Sequence, residues 1–92
     1  MTFKRDPELP YQKLDEETIV VDPRSREVHL LNETAARVWE LLASPRSLDE
    51  LAATLGEEYD APAGELRAGV EEVIAGLRDK GLLAGAGPAA AG

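Results

Sequence analysis

Few side chains in this sequence are of the kinds that perform acid–base, nucleophilic or metal chemistry. His29 is the single histidine and cysteine is absent, so neither a thiolate site nor a multi-histidine site for a metal can be assembled. A Ser-His-acid triad would have to include His29, whose sequence neighbours are mostly aliphatic. No glycine-rich phosphate-binding motif is present. We therefore predict that the protein is not an enzyme and holds no cofactor or metal.

Two pairs of adjacent acids, Glu57-Glu58 and Glu71-Glu72, are the remaining candidates for acid–base catalysis. Both pairs fall in segments with helical periodicity, where consecutive side chains point about 100° apart. The two carboxyl groups of a pair therefore do not face the same point, and solvated helix faces account for them better. His29 is likewise assigned to a strand surface that faces solvent or a partner.

The negative net charge of the chain argues against binding to nucleic acid. Ten basic residues stand against eighteen acidic ones, and the formal net charge is -8. Binding to nucleic acid relies on clustered lysine and arginine, whereas the basic residues here are spread along the chain. The sequence also has no apolar run of membrane-spanning length. These features predict a soluble, cytoplasmic protein that binds neither nucleic acid nor a membrane.

The elements that would position a binding site begin with a small sheet. Periodicity and turn residues predict strands at residues 10–14, 18–21 and 26–31, joined as an antiparallel meander. In the third strand, Val28 and Leu30 alternate with Glu27 and His29. This alternation predicts that one face of the strand, the face with the two aliphatic side chains, is buried.

Three helices are predicted after the sheet, at residues 33–43, 48–58 and 63–80. Asn32 is a good N-cap for the first helix, and Ser47 with Glu50 forms a capping box at the second. Gly81 is the expected residue just beyond the third helix. Three antiparallel N-terminal strands followed by three helices predict an α+β fold that resembles a winged helix-turn-helix.

We divide the chain into three parts. Residues 1–9 mix charges with Pro7 and are expected to form a flexible lead-in. Residues 10–83 form the folded domain, and residues 84–92 are expected to be a disordered tail. Trp39, the only tryptophan, falls in the apolar stripe of the first helix and is expected in the core.

Two features of this predicted fold suit binding rather than catalysis. The strand at residues 26–31 contains neither proline nor glycine, so as an outer strand it would offer backbone groups to an incoming peptide. Gly69 and Gly76 share one face of the third helix, where another backbone could approach closely. Two plainer interpretations stay open: the N-terminal segment covers the strand edge, and the glycines only reflect a composition rich in alanine and glycine.

The chain resembles the PqqD-like family in three stretches, VHLLNETAARVWELL, LDELAATLGEEYDAP and LRDKGLL. Members of this family are also called RiPP recognition elements, and they bind the leader of a ribosomally made precursor peptide. The resemblance implies three strands followed by three helices, without catalytic residues. It further implies that the leader adds as an antiparallel strand in the cleft between the third strand and the third helix. The bound precursor would then be presented to a modifying enzyme, either a radical SAM protein or a leader peptidase.

By the same resemblance, the leader pairs with the third strand and lies against the third helix. The strand would contribute Arg26, Glu27, Val28, His29, Leu30 and Leu31, and the helix Leu66, Val70, Val73, Ile74 and Leu77, which divide between core and groove. Arg67, Glu71 and Arg78 would form a polar rim. The chain departs from the family at Gly69, where an acidic residue is common, so any contact made by that carboxylate is missing.

Two rival functions stay open. One is a winged-helix regulator that binds nucleic acid, although residues 65–80 carry three basic and four acidic side chains, a balance that opposes contact with phosphates. The other is a subunit that docks onto a larger enzyme without touching its substrate. An exposed strand edge is also compatible with a homodimer.

Overall fold

The computed structural model describes residues 2–84. Its elements follow the chain as β1 Tyr11–Leu14, β2 Glu17–Asp22, β3 Glu27–Leu31, α1 Glu33–Leu41, α2 Leu48–Tyr59 and α3 Ala63–Asp79. The strands form one antiparallel sheet in the order β1-β2-β3, so β1 and β3 are both edge strands. The predicted fold class is confirmed. The predicted tail lies outside the described residues except for Ala84.

A tight turn joins β2 to β3 and sets the register of the edge strand. The Asp22 carboxylate accepts a hydrogen bond from the Arg24 amide at 2.9 Å, and this donation holds the pKa of the Asp22 carboxyl below its usual value. The Asp22 carbonyl accepts a hydrogen bond from the Arg26 amide at 2.8 Å. Arg26 has a φ of 62°, which is a left-handed conformation. Arg26 therefore belongs to the turn, and the strand begins one residue later than predicted.

The two faces of the sheet differ in what covers them. Val20 on β2 and Leu31 on β3 point toward the helices and are at most 3% exposed. Val28 and Leu30 point the opposite way and are 63% and 59% exposed. The prediction that Val28 and Leu30 form the buried face is therefore wrong. His29 lies on the helix side instead of facing solvent, and its side chain is only 12% exposed.

The reason for this reversal lies at the end of the strand. The side chain of Asn32 accepts a hydrogen bond from the Ala35 amide at 2.9 Å, so α1 begins directly after β3, as the N-cap predicts. Leu31 must then point toward the helices, because it occupies the corner where the strand meets α1. Side chains alternate along a strand, so His29 follows Leu31 onto that face and Leu30 is turned outward.

Local capping signals place the helix ends. The Ser47 hydroxyl accepts from the Glu50 amide at 3.1 Å, and the Glu50 carboxylate accepts from the Ser47 amide at 2.8 Å, which confirms the capping box. Beyond α3, Gly81 has a φ of 73°, and the Leu82 amide donates to the Leu77 carbonyl at 2.9 Å. This is a Schellman motif. It directs Leu82 back into the core, where that side chain is fully buried.

The core lies between the helix side of the sheet and the inner faces of the helices. Trp39 of α1 is fully buried, as predicted. The ring of Tyr11 meets it edge-on, with the ring centroids 5.9 Å apart. From α3, the side chains of Val70, Ile74 and Leu77 are also buried. Aliphatic side chains around one tryptophan thus make up the interior of the domain.

The N-terminal segment is built into the fold. Phe3 and Leu9 are buried, and Phe3 exchanges backbone hydrogen bonds of 2.7 and 2.9 Å with Arg46 in the α1–α2 loop. Arg5 forms a bridge with Leu83 in the same antiparallel manner. The segment therefore differs from the expected flexible lead-in, because its two apolar side chains pack into the core. It pairs with these two sites rather than with β3, so it leaves the edge of β3 open.

Candidate functional site

The free edge of β3 presents backbone groups at alternate residues. The Val21 amide donates to the Pro10 carbonyl at 2.9 Å, so the backbone groups of Val21 face β1. Successive residues of a strand direct their backbone groups to opposite sides, and the register then turns those of His29 toward β2. The amides and carbonyls of Val28 and Leu30 therefore point away from the sheet. Within residues 2–84 no strand pairs with them, so they can accept an added strand.

Helix α3 runs alongside this edge in the opposite direction. Its first half, at Leu66 and Val70, shares a groove with Glu33, which closely follows the end of β3. Beyond its other end, the Gly81 carbonyl accepts a hydrogen bond from Arg24 in the β2–β3 turn at 3.4 Å. Both ends of β3 are thus matched to positions along α3. The free edge and the helix form the two sides of an open cleft.

The side of α3 that faces this cleft carries small and aliphatic side chains. Leu66, Gly69, Val73 and Gly76 are spaced by three or four residues and so lie along one flank of the helix. Gly69 is exposed, and the other three are half-buried. A Cβ atom at either glycine would meet no atom within 4 Å. Packing within the domain therefore does not require these glycines, and they leave open space along the cleft.

A groove of about 410 Å³ lies just beyond the carboxyl end of β3, between the first turn of α1, the end of α2 and the first half of α3. It is mostly apolar and is lined by Glu33, Thr34, Leu55, Tyr59, Glu65, Leu66, Gly69 and Val70. Leu55 and Val70 are buried core residues and form its floor. Glu33 and Glu65 are exposed, so two carboxylates border an apolar depression.

Six residues of this groove were not among the predicted site residues: Glu33, Thr34, Leu55, Tyr59, Glu65 and Gly69. A signal for the first two was present in the sequence. Asn32 caps α1 directly after β3, which brings the first turn of that helix to the end of the strand. Tyr59 and Glu65 lie on either side of the α2–α3 connection, and only the packing of those helices against α1 brings them to the groove.

The predicted polar rim lies on the opposite flank of α3. Arg67 pairs with Asp49 at the start of α2, and its guanidinium is 3.6 Å from the Glu71 carboxylate. The Arg78 guanidinium stacks over the ring of Phe3, 5.4 Å from the ring centroid. These contacts direct all three residues toward α2 and the N-terminal segment, because their spacing places them around the helix from the cleft. They are not part of the cleft.

The other predicted residues fall into three groups. Leu31, Ile74 and Leu77 are buried in the core and have no surface on the cleft. Leu66 and Val73 are half-buried on the cleft flank of α3, and Val70 lies in the floor of the groove. Glu27, Val28, His29 and Leu30 lie on the edge strand itself, whereas Arg26 lies in the turn before it.

His29 occupies the helix side at the centre of β3. Its Nε2 atom is buried and has no hydrogen-bond partner among residues 2–84. The carboxylate of Glu27 is 4.0 Å away, which is too far for a hydrogen bond. An unused imidazole nitrogen therefore lies on the edge strand, on the face that borders the cleft.

A network of charged side chains holds α1 against α2 and β1. Arg37 donates to the Glu58 carboxylate at 2.9 and 3.0 Å and to Glu40 at 3.0 Å, and Lys13 is 2.9 Å from Glu40. Donation from Lys13 lowers the pKa of Glu40, and donation from Arg37 lowers the pKa of Glu58. The same bonds raise the pKa of Arg37. The network thus positions the helix whose first turn lines the groove.

Residues 2–84 offer neither a cluster of metal ligands nor a membrane-spanning helix. Within residues 2–84, no group of three or more histidine, cysteine, aspartate or glutamate side chains is arranged to hold a metal ion. Across that same span, none of the helices combines the length and apolar character needed to traverse a bilayer. The cleft between β3 and α3 is therefore the candidate binding site.

The sequence matches one known protein family over most of its length. Residues 17–83 match the family described as Coenzyme PQQ synthesis protein D (PqqD). The chain belongs to the PqqD family. The match includes β2, β3 and all three helices, so both sides of the cleft lie within the part that defines the family. No curated protein sequence matches this PqqD-family chain significantly.

Two solved structures share its fold. "TbiB1 in Complex with the TbiA(beta) Leader Peptide" matches with a TM-score of 0.77 at 19% identity, covering 87% of this chain and 93% of that chain. The second is a solution NMR structure of the PqqD truncation of Methylobacterium extorquens PqqCD, described as a functional and stand-alone RiPP recognition element. It matches with a TM-score of 0.74 at 20% identity, covering 90% of this chain and 88% of that chain. At these identities the likeness establishes the fold.

Proposed function

We propose that this chain binds the leader of a ribosomally made precursor peptide as an added strand at the free edge of β3. The observation that carries the proposal is the pair of outward-facing backbone sites at Val28 and Leu30, beside the small-residue flank of α3. Membership of the PqqD family supports it. So does the fold shared with a protein that was solved with a leader peptide.

Backbone pairing is the first contribution to affinity. Val28 and Leu30 each offer one donor and one acceptor at the edge. At a net value of about 0.5–1.5 kcal/mol for each hydrogen bond, such pairing contributes about 2–6 kcal/mol, whereas a micromolar complex requires about 8 kcal/mol. Pairing alone falls short. The apolar flank of α3 and the groove beside it must therefore bury side chains of the leader.

The bound precursor is delivered to a modifying enzyme, and we propose a radical SAM enzyme or a leader peptidase as the recipient. In this arrangement the leader occupies the edge of the sheet. The outer face of the sheet, which carries Val28 and Leu30, stays open to solvent. A partner enzyme could approach the bound peptide from that side. The chain itself supplies recognition rather than chemistry.

The proposal is tested by fluorescence polarisation with a labelled precursor leader encoded beside this gene. Leu30→Pro removes the outward amide, while Leu30→Ala retains it. Leu30→Ala is therefore the matched control, because it shortens the same side chain and keeps the backbone groups. Proline is tolerated at an exposed strand edge, so Leu30→Pro should fold. We expect Leu30→Pro to weaken binding roughly tenfold or more, since a lost hydrogen bond is accompanied by a steric block. Leu30→Ala should bind much more like the unmodified chain.

Two controls are needed: a titration at high salt and a check that each variant is folded. Binding through backbone pairs and apolar contacts should survive high salt, because screening acts mainly on exposed charges. Unchanged affinity of a folded Leu30→Pro variant would refute pairing at β3. If the folded chain binds none of the neighbouring leaders, the result would favour the rival role as a docking subunit. The exposed outer face of the sheet would then be the surface that contacts the larger enzyme.

A further inference from the structure

We propose that the groove at Gly69 accepts one large apolar side chain of the leader and thereby sets the register of the bound peptide. This inference rests on the proposed function, strand addition to β3. It goes further by naming which side chains a bound leader must carry.

An added antiparallel strand meets β3 residue by residue. Peptide positions opposite Val28 and Leu30 place their side chains on the outer face, and positions opposite His29 and Leu31 place theirs on the helix side. The added strand runs opposite to β3. A position p opposite Leu31 is therefore followed by p+1 opposite Leu30, p+2 opposite His29 and p+3 opposite Val28.

Position p is the one nearest the groove, because Leu31 is the last residue of β3 and Glu33, two residues further on, lines the groove. Apolar side chains of Leu55, Leu66 and Val70 line that groove. Gly69 forms part of its wall, and the space that a side chain would fill there is open. An aromatic or long aliphatic side chain at p would bury its apolar surface in this space.

Positions p+1 and p+3 fall on the outer face of the sheet. Their cross-strand neighbours, Leu30 and Val28, are the most exposed of the large apolar side chains in the described structure. Half-buried Ile19 and Val21 continue the apolar strip across β2. Apolar side chains at p+1 and p+3 would pack beside Leu30 and Val28 and extend this strip, since cross-strand pairs of that kind stabilise a sheet. Position p+2 meets His29 and the glycine flank and is left unrestricted.

The charge at the groove favours a basic residue upstream of p. Glu33 and Glu65 are both exposed at its border, and none of the residues that line it is basic. The chain as a whole carries a net charge of -8. By the same alternation, the side chain at p-1 falls on the outer face, whereas that at p-2 falls on the helix side, as at p. A lysine or arginine at p-2 would therefore lie near these carboxylates, whereas an acidic residue would be repelled. The recognised segment is therefore basic, any residue, large apolar, apolar, any residue, apolar.

A displayed library of random peptides tests this pattern by selection on three forms of the chain: unmodified, Gly69→Leu and Gly64→Leu. Gly64 is the matched control, because it is an exposed glycine of α3 with open space around it but does not line the groove. Leucine is a better helix former than glycine, so both variants should fold. A fourth form, with Glu33→Gln and Glu65→Gln together, tests the charge preference.

The unmodified chain and Gly64→Leu should enrich the same pattern. Gly69→Leu fills the groove and should shift position p to small residues, with peptides that carry a large residue at p losing about tenfold to a hundredfold in affinity. Positions p+1 and p+3 should be unaffected. The double glutamine variant should lose only the basic preference.

The outcomes separate this inference from the proposal on which it rests. Selected peptides that bind at β3 but show the same residues at p for Gly69→Leu and for the unmodified chain would overturn the groove assignment and leave strand addition standing. A shift at every position together would also overturn it, since the groove would then have no single occupant. If no peptide is enriched on the unmodified chain, strand addition fails and the groove assignment fails with it.

Discussion

Leu30 and Leu31 are neighbours of the same residue type in opposite environments, and truncating each to alanine tests the assignment of the two faces of β3. Leu31 is 3% exposed, whereas Leu30 is 59% exposed. Sequence alternation alone predicts the reverse order, with Leu30 on the buried face. The two variants therefore distinguish the structure from the simplest interpretation of the sequence.

The expected costs follow from these exposures. Removing a buried leucine side chain loses its transfer free energy and leaves a cavity, so Leu31→Ala should lower the free energy of unfolding by about 2–5 kcal/mol. Complete burial of a leucine contributes about 1.5–3 kcal/mol. Leu30 is well under half buried and leaves no cavity when truncated. Leu30→Ala should therefore cost about 1 kcal/mol or less.

Urea denaturation of the two variants and the unmodified chain measures these costs, because a shared m-value allows the free energies of unfolding to be compared directly. Circular dichroism of each variant before unfolding checks that the secondary structure is retained. Equal destabilisation by the two truncations, or a larger cost for Leu30→Ala, would refute the placement of Leu31 in the core.

Two further predictions concern stability. The pKa values of Glu40 and Glu58 are lowered from an ordinary value of 4.5 by their partners. Their contribution is therefore present above that value and lost as the pH falls through the lower folded-state pKa values, which urea denaturation at several acidic pH values should show. Arg37→Met should flatten this dependence, and an unchanged slope would contradict the role of the network. Gly81→Ala places a side chain at a φ of 73° and should cost about 1–2 kcal/mol in thermal unfolding. The Cβ of an alanine at this position would meet no atom within 4 Å, so no steric clash is expected. A loss of stability well above that range would therefore mean that backbone strain is not the cause.

The order and ends of the elements were predictable because their signals are local. Asn32, Ser47 with Glu50, and Gly81 each satisfy backbone groups within a few residues of themselves. Such contacts need no knowledge of the rest of the chain. The same holds for Trp39, whose place in the apolar stripe of α1 predicted its burial. The open edge of β3 followed from strand order in a three-stranded meander.

The orientation of the site was not predictable on the same grounds. The burial of Leu31 rather than Leu30 depends on how α1 leaves the strand, and a shift of one residue reverses both faces. Similarly, Arg67 and Arg78 differ from Leu66 and Val73 only by their angle around α3. Which flank of α3 faces the cleft is decided by tertiary contacts, because Asp49 and Phe3 pack against one flank and leave the other beside the cleft.

An open strand edge with exposed aliphatic neighbours would ordinarily promote self-association, and natural sheets commonly block such edges with charge or proline. Here β3 contains neither a lysine nor a proline, and Val28 and Leu30 stand exposed on it. The net charge of -8 on each copy would oppose such pairing, because like charges repel at close approach. The same charge attracts a peptide that carries basic residues. The edge can therefore remain open to a leader while the surface around it disfavours a second copy of the chain, and raising the ionic strength should weaken that discrimination.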